Sequence, residues 1–249
     1  MFVFPRTAVW ICHDGAEPFV ADPNVVTFYN PGQHYTRRRL SRDGDRADWY
    51  LVAPDVMCEV AERFDPSTAD RREGPLPFTH GPSGSRAYLA QRCLFEHVAN
   101  SETPDELFVE EGVLSVLGDV VESGFASRAA ATSHRRGHAD ARRQSLAEEA
   151  RALLATHFAS SLTLAQLART LGVSPFHLAR VFRRCHGTSL HEYRVRLRLR
   201  AALQRLTRPR TDILELALSV GFSSHSHFTT AFRQAYGKSP SAFRQAVGR

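Results

Sequence analysis

The chain has 249 residues, 43% of them hydrophobic, which is enough for two domains that each bury a core. No apolar run approaches the ~20 residues of a membrane span, and MFVFPRTAVWICHDG lacks the basic start and small-residue cleavage site of a secretory signal, so a cytoplasmic protein without a membrane partner is expected. The net charge of +6 divides unevenly: residues 146–249 hold 16 Lys+Arg against 5 Asp+Glu, residues 1–125 hold 11 against 20, and the stretch between holds 5 against 1. A basic module joined to an acidic one points to a polyanionic partner for the C-terminal part.

In chain order, TAVWIC, NVVTFYN, QHYTRRRL and DWYLVA are short β-branched and aromatic runs separated by Asp-Gly, Asp-Pro and Pro-Gly signals, which predicts strands and hairpins. Three helical patterns follow: PDVMCEVAERF, SRAYLAQRCLFEHVAN and PDELFVEEGVLSVLGDVVESGF. On the third, Leu107, Val113, Leu114, Leu117, Val120 and Val121 form one broad apolar stripe, read either as domain core or as a dimer face. Residues 126–145 are poor in large apolar side chains and read as a linker, with helical turns left open.

Beyond the linker the patterns predict seven helices and no strand, over 146–159, 163–170, 174–186, 189–206, 211–219, 224–236 and about 239–246. Two stretches repeat. GVSPFHLARVFRRCHGTSLHEYR and GFSSHSHFTTAFRQAYGKSPSAFR align at their shared FR, pairing Ser174 with Ser224, Phe182 with Phe232, Gly187 with Gly237, Tyr193 with Phe243 and Arg194 with Arg244. Ala168 and Gly172 pair with Ala217 and Gly221 at an offset of 49, so the second copy has one extra residue in its turn. A short helix with a small residue, a glycine turn and a serine cap on a second helix make a helix-turn-helix unit. The two units are joined by SLHEYRVRLRLRAALQRL, where Val195, Leu199, Ala202 and Leu206 form an apolar line beneath an expected coat of arginine. Its ~27 Å length is comparable with the ~34 Å between successive major-groove segments on one face of B-DNA.

These motifs carry a resemblance. LAxxLGVSxxxLxRxFRxxxGxSxxxY, RLxxAxxxL and ILxLALSVGFSSxSHFxxxFRxxxGxSPxxFR make the last hundred or so residues similar to the DNA-binding domain of the AraC/XylS family of bacterial transcription regulators. The likeness implies recognition helices at 174–184 and 224–234, with Ser174 and Ser224 as caps. Phe176, Ala179 and Arg180 then fall where bases are approached in the first, as do His225, Ser226, His227 and Thr230 in the second; Arg183 and Arg233 are expected on phosphates. Thr230 stands where the family often has arginine, so the second helix lacks that bidentate donor. His225 and His227, two apart on a helix, make a poor metal pair.

The resemblance implies a fold of two parts: an α+β N-terminal domain over 1–125, a small cupin-like β-barrel or half-barrel plus helices that senses or dimerises, and an all-α double helix-turn-helix domain over 146–249. The implied partners are double-stranded promoter DNA, RNA polymerase for an activator, a small-molecule effector and a second copy through the N-terminal half. No catalytic residue, cofactor or metal is expected: His13, His34 and His80 do not form the His-x-His cluster of catalytic cupins. Two rival readings remain open. A DNA-repair methyltransferase fusion requires a zinc-cysteine module and a PCHR-type cysteine, and neither is in the sequence. A metal- or redox-responsive regulator would use Cys12, His13, Cys58, Cys93 and His97, of which Cys93 and His97 have ligand spacing on a helix; the alternative for those two is a buried thiol beside a satisfied histidine. Cys185 completes the four cysteines, which show no CxxC pair.

Overall fold

The computed structural model describes residues 1–42, 44–71, 74–132, 138–207 and 211–247. The chain forms two compact units, residues 1–134 and 135–249. No helix among the described residues is long and apolar enough to cross a membrane.

The first unit begins as two antiparallel sheets. Strands β1 (Phe2–Pro5), β4 (Val25–Phe28), β6 (Ala47–Tyr50) and β7 (His80–Pro82) form one, in the order β6-β1-β4-β7. The other holds β2 (Val9–His13), β3 (Phe19–Ala21) and β5 (Tyr35–Arg39), in the order β3-β2-β5. Between β3 and β4 the Asp22 carboxylate accepts from the Asn24 amide at 2.8 Å, turning the chain from one sheet into the other. Val9, Ile11, Phe19, Ala21 and Val25, drawn from both sheets, pack into one buried cluster. Strand β5 is an edge strand coated with Arg37, Arg38 and Arg39, which discourages pairing with another chain.

β1 and β7 lie outside the runs expected to form strands. β1 lies between two partners and is buried along its whole length, so its residues do not alternate. β7 is His-Gly-Pro, held by β4 through the register Val25↔Pro82 and Thr27↔His80.

Helices α1 (Pro54–Glu62), α2 (Ser85–Asn100) and α3 (Glu106–Thr132) complete the unit. On the α3 stripe, Leu117, Val120 and Val121 are buried, whereas Leu107 and Leu114 are exposed along with Phe108. Arg92 of α2 is 1% exposed and donates to Asp48 of β6 at 2.7 Å; Glu96 is its second carboxylate partner, and Arg6 stands 3.6 Å from Asp48. Removing either member of the Arg92–Asp48 pair costs a buried charge its nearest partner, leaving Arg92 to Glu96 or Asp48 to the more distant Arg6.

The second unit is helical: α4 (His138–His157), α5 (Leu164–Thr170), α6 (Pro175–His186), α7 (Leu190–Leu206), α8 (Ile213–Ser219), α9 (His225–Tyr236) and α10 (Pro240–Val247). Ala150, Leu154, Leu167, Ala168, Leu178, Phe182, Tyr193 and Leu197 form the core around α5 and α6. Leu216, Ala217, Val220, Phe222, Phe228, Phe232, Tyr236 and Phe243 are the buried residues of the second repeat. Helix α4 is fastened to α7 by a buried network: Arg151 donates twice to Glu148 at 2.9 Å and once to the Tyr193 hydroxyl at 3.1 Å.

The expected linker is helical at both described ends. Residues 126–132 prolong α3 and 138–145 are the first turns of α4, while 133–137 lie outside the described residues. Alanine, arginine and glutamine favour the helix here, and Asp140 in the first turn complements its dipole.

Candidate nucleic-acid interface

Each repeat is built by the same local chemistry. Thr163 caps α5 in a reciprocal box with Gln166, and Asp212 caps α8 by accepting from the Glu215 amide at 2.8 Å. The Ser174 hydroxyl accepts from the His177 amide at 3.2 Å, and the Ser224 hydroxyl accepts from the His227 amide at the same distance. These bonds satisfy amides at the first turns of α6 and α9. Between the helices the chain reverses at Gly172, φ +67°, and at Gly221, φ +95°. The inserted residue of the second turn, in Phe-Ser-Ser, leaves Phe222 buried against Phe228, with ring centres 5.2 Å apart.

The i, i+4 pairs Leu178/Phe182 and Phe228/Phe232 are fully buried, so the opposite faces of α6 and α9 are turned outward. On α6, Phe176 is 77% exposed and Arg180 and Arg183 are exposed beside it. Ala179 is half-buried at the border of this face. On α9, His225, Ser226, His227, Thr230 and Arg233 are all exposed, and the His227 ring stands edge-on to Phe222 at 5.4 Å. Neither Arg180 nor Arg233 makes an ion pair among the described residues, so both are available to an anion.

The connecting helix α7 departs from expectation. Leu199, Ala202 and Leu206 are buried and Val195 is half-buried, as its apolar line requires, but the arginines are no uniform solvated coat. Arg196 and Arg205 are exposed, whereas Arg198 and Arg200 are 8% and 1% exposed. Arg198 donates to the carbonyls of Phe158 and Ser160 at 2.7 and 3.0 Å, and its guanidinium lies 6.0 Å from the Phe222 ring centre. Desolvation, together with the neighbouring Arg194 charge, brings its pKa down to about 10. It therefore ties the end of α4 to α7 and to the turn of the second repeat. Helical periodicity already sets Arg198 beside Val195 and Ala202 and turns Arg196 away, but its carbonyl partners, some forty residues earlier, gave no signal in the spacing.

The cysteine and histidine candidates of the first unit are dispersed. Cys93 and His97 are exposed on α2, and His97 packs edge-on against Phe108 at 4.7 Å; Cys58 is buried on α1. The Cys12 thiol faces the carbonyls of Ala16 and His13, at 3.5 and 3.7 Å. Among the described residues no three His, Cys, Asp or Glu side chains are grouped to hold a metal.

Residues 167–246 match the family described as a helix-turn-helix domain. The helical unit carries an AraC-type helix-turn-helix domain. The Msm operon regulatory protein of Streptococcus mutans is 34% identical over 95 residues, covering 38% of this chain and 34% of that protein. The bifunctional transcriptional activator/DNA repair enzyme AdaA of Bacillus subtilis is 35% identical over 89 residues, covering 36% of this chain and 42% of that protein. A solved transcriptional regulator from Chromobacterium violaceum, described by its AraC-type DNA-binding domain, is 30% identical, with 44% of this chain and 97% of that chain covered at a TM-score of 0.40. The chain thus spans well under half the length of these two curated relatives. In this domain α6 and α9 are the second helices of the two units.

Proposed function

We propose that this chain is a sequence-specific DNA-binding transcription regulator without chemistry of its own, acting in the cytoplasm on promoter DNA. The observation that carries this reading is the pair of outward faces on α6 and α9, each with an unpaired cation, Arg180 and Arg233, joined through the single helix α7. Seventeen residues of helix extend ~26 Å at 1.5 Å per residue, which suits two reading heads entering neighbouring major-groove segments. Ser174, Phe176, Ala179, Arg180 and Arg183 then serve one groove, and Ser224, His225, Ser226, His227, Thr230 and Arg233 the next. Because the two faces differ in sequence, one chain reads an asymmetric site.

In the same proposal the first unit is a cupin-like sensing and dimerisation domain, with residues 126–145 joining it to the reader. Two short sheets followed by helices support the sensing role, and the exposed Leu107, Phe108 and Leu114 of α3 support pairing with a second copy. RNA polymerase is the further partner if the regulator activates.

Selection of bound sites from random duplex DNA by the full-length protein tests the reading. Two adjacent, dissimilar sequence blocks about one helical turn apart are expected. Enrichment of no sequence would overturn it.

A further inference from the structure

The described residues hold a further concentration of positive charge where the flank of α6 meets the start of α4, whose Arg142 and Arg143 lie outside the matched segment 167–246. A cleft of about 230 Å³ between the start of α4 and α6 is bordered by Arg143, Arg180, Val181 and Arg184. Arg142 and His177 border an adjoining cleft, together with Glu149. Among the described residues, Asp140 alone balances arginines of the first cleft through ion pairs: it accepts from Arg143 at 2.6 Å and stands 3.8 Å from Arg184. Three guanidinium groups, two of them sharing one carboxylate, leave the cleft electropositive, and exposed Arg142 adds to the same ledge.

The ledge has a definite place relative to the reading face. His177, Val181 and Arg184 follow one another at i, i+4 and i+7, so they line the flank of α6 that packs on α4, while Phe176, Arg180 and Arg183 point outward. A major groove about 12 Å wide is nearly filled by a helix of about 10–12 Å diameter. A duplex that receives α6 must therefore carry a sugar-phosphate strand close along each flank of the helix. On one flank the first turns of α4 present Arg142 and Arg143.

We propose that the first two turns of α4 form a phosphate clamp: Arg142 and Arg143, with Arg184, bind the DNA backbone beside the groove read by α6. The inference rests on the regulator reading above and extends the interface to residues 138–145. Asp140 tempers the clamp by neutralising part of its charge. The clamp adds affinity for every sequence and leaves discrimination to the outward faces.

The test is binding of the full-length chain to its selected duplex and to a scrambled duplex, from about 50 to about 300 mM salt. Arg142→Ala with Arg143→Ala is expected to weaken both duplexes alike, roughly ten- to thirty-fold near physiological salt, and to make the slope of log K against log salt shallower by about 1.8, since each lost phosphate contact removes about 0.9. Arg142→Lys with Arg143→Lys should keep most of the affinity. Asp140→Asn should tighten binding and steepen the slope, a gain that unfolding cannot produce. Unchanged affinity and slope in the double alanine variant, or weaker binding at an unchanged slope, overturns the clamp while leaving the regulator reading intact. A wild-type chain that binds neither duplex overturns both.

Discussion

Arg194 and Arg244 perform the same task fifty residues apart. The Arg194 guanidinium donates to the carbonyl of Leu162 at 2.6 Å, and that of Arg244 donates to the carbonyl of Thr211 at 2.7 Å. Each acceptor immediately precedes the cap of its unit's first helix, Thr163 or Asp212. In both copies the helix that follows the unit's second helix thus reaches back and holds the entrance to the unit. Charged hydrogen bonds to buried or half-buried carbonyls contribute about 1.5–3 kcal/mol. Arg194→Ala and Arg244→Ala are each expected to destabilise the helical unit by about 1–3 kcal/mol, allowing for partial exposure. Calorimetry of the full chain measures this, and a helical transition unmoved in both variants would refute it.

Gly172 and Gly221 occupy equivalent turns under different constraints. Both have positive φ, but a Cβ at Gly172 meets nothing within 4 Å, whereas one at Gly221 would lie 2.5 Å from the Ala159 carbonyl oxygen and 2.9 Å from the Arg198 guanidinium carbon. Gly172→Ala should cost about 1–2 kcal/mol, the ordinary penalty of a left-handed residue. Gly221→Ala should cost clearly more, because Arg198 must also give up its place on the carbonyls of Phe158 and Ser160. Equal shifts in melting temperature for the two variants would contradict this.

On the proposed reading, α6 and α9 contribute unequally to DNA recognition. Arg180 projects from the centre of the outward face of α6, while the position carried over to α9 is Thr230, too short for a bidentate contact. Arg180→Ala should reduce discrimination between the selected and scrambled duplexes by about 1–3 kcal/mol. Arg233→Ala should weaken both alike. If Arg180→Ala lowers the two affinities equally, Arg180 contacts only phosphate.

Glu192 in the cap of α7 couples stability to acid. Hydrogen bonds from the Ser189 amide and hydroxyl and from the Thr188 hydroxyl bring its pKa down to about 2. A carboxyl depressed in the folded state stabilises fully above its unfolded pKa of about 4.3 and loses that contribution as pH falls towards 2. Glu192→Gln should therefore show a flatter melting temperature between pH 4.3 and 2 than wild type. Parallel curves would exclude the coupling.

His13 acts in a higher pH range. Its ring is buried against Phe19, Tyr29 and Tyr35, and burial lowers its pKa although Asp14 opposes the shift. The folded chain then takes up a proton less readily than the unfolded chain, so stability holds above about pH 6.5 and falls as pH drops below it. His13→Phe should remove this fall from the first unit's unfolding curve. A wild-type curve already flat from pH 7 to 5 would refute it.

Much of the reading face was legible because its determinants are local. Ser174 caps α6 through an amide three residues away, Gly172 and Gly221 supply the turns, and the i, i+4 pairs Leu178/Phe182 and Phe228/Phe232 orient the helices. Ala179 was less legible: periodicity turns it outward, whereas the packed unit leaves it half-buried at the edge of that face. The early start of α4 was hidden because residues 138–145 carry no apolar stripe to announce a helix, although their alanine, arginine and glutamine favour one.

The sequence by itself determined the two helix-turn-helix units, their repeat and the acidic and basic halves, since these depend on hydrogen bonds and apolar spacing within about a dozen residues. Tertiary structure alone decided which arginines are structural. Periodicity turns Arg198 toward the apolar line of α7, but only the fold brings the carbonyls of Phe158 and Ser160, some forty residues earlier, within its reach. Arg92 is fully buried only because β6 delivers Asp48 to it, and β7 is a strand only because β4 lies alongside. A guanidinium's charge is written in the sequence. Whether it serves the fold or faces solvent, where DNA would meet it, depends on which distant carbonyl or carboxylate comes within reach.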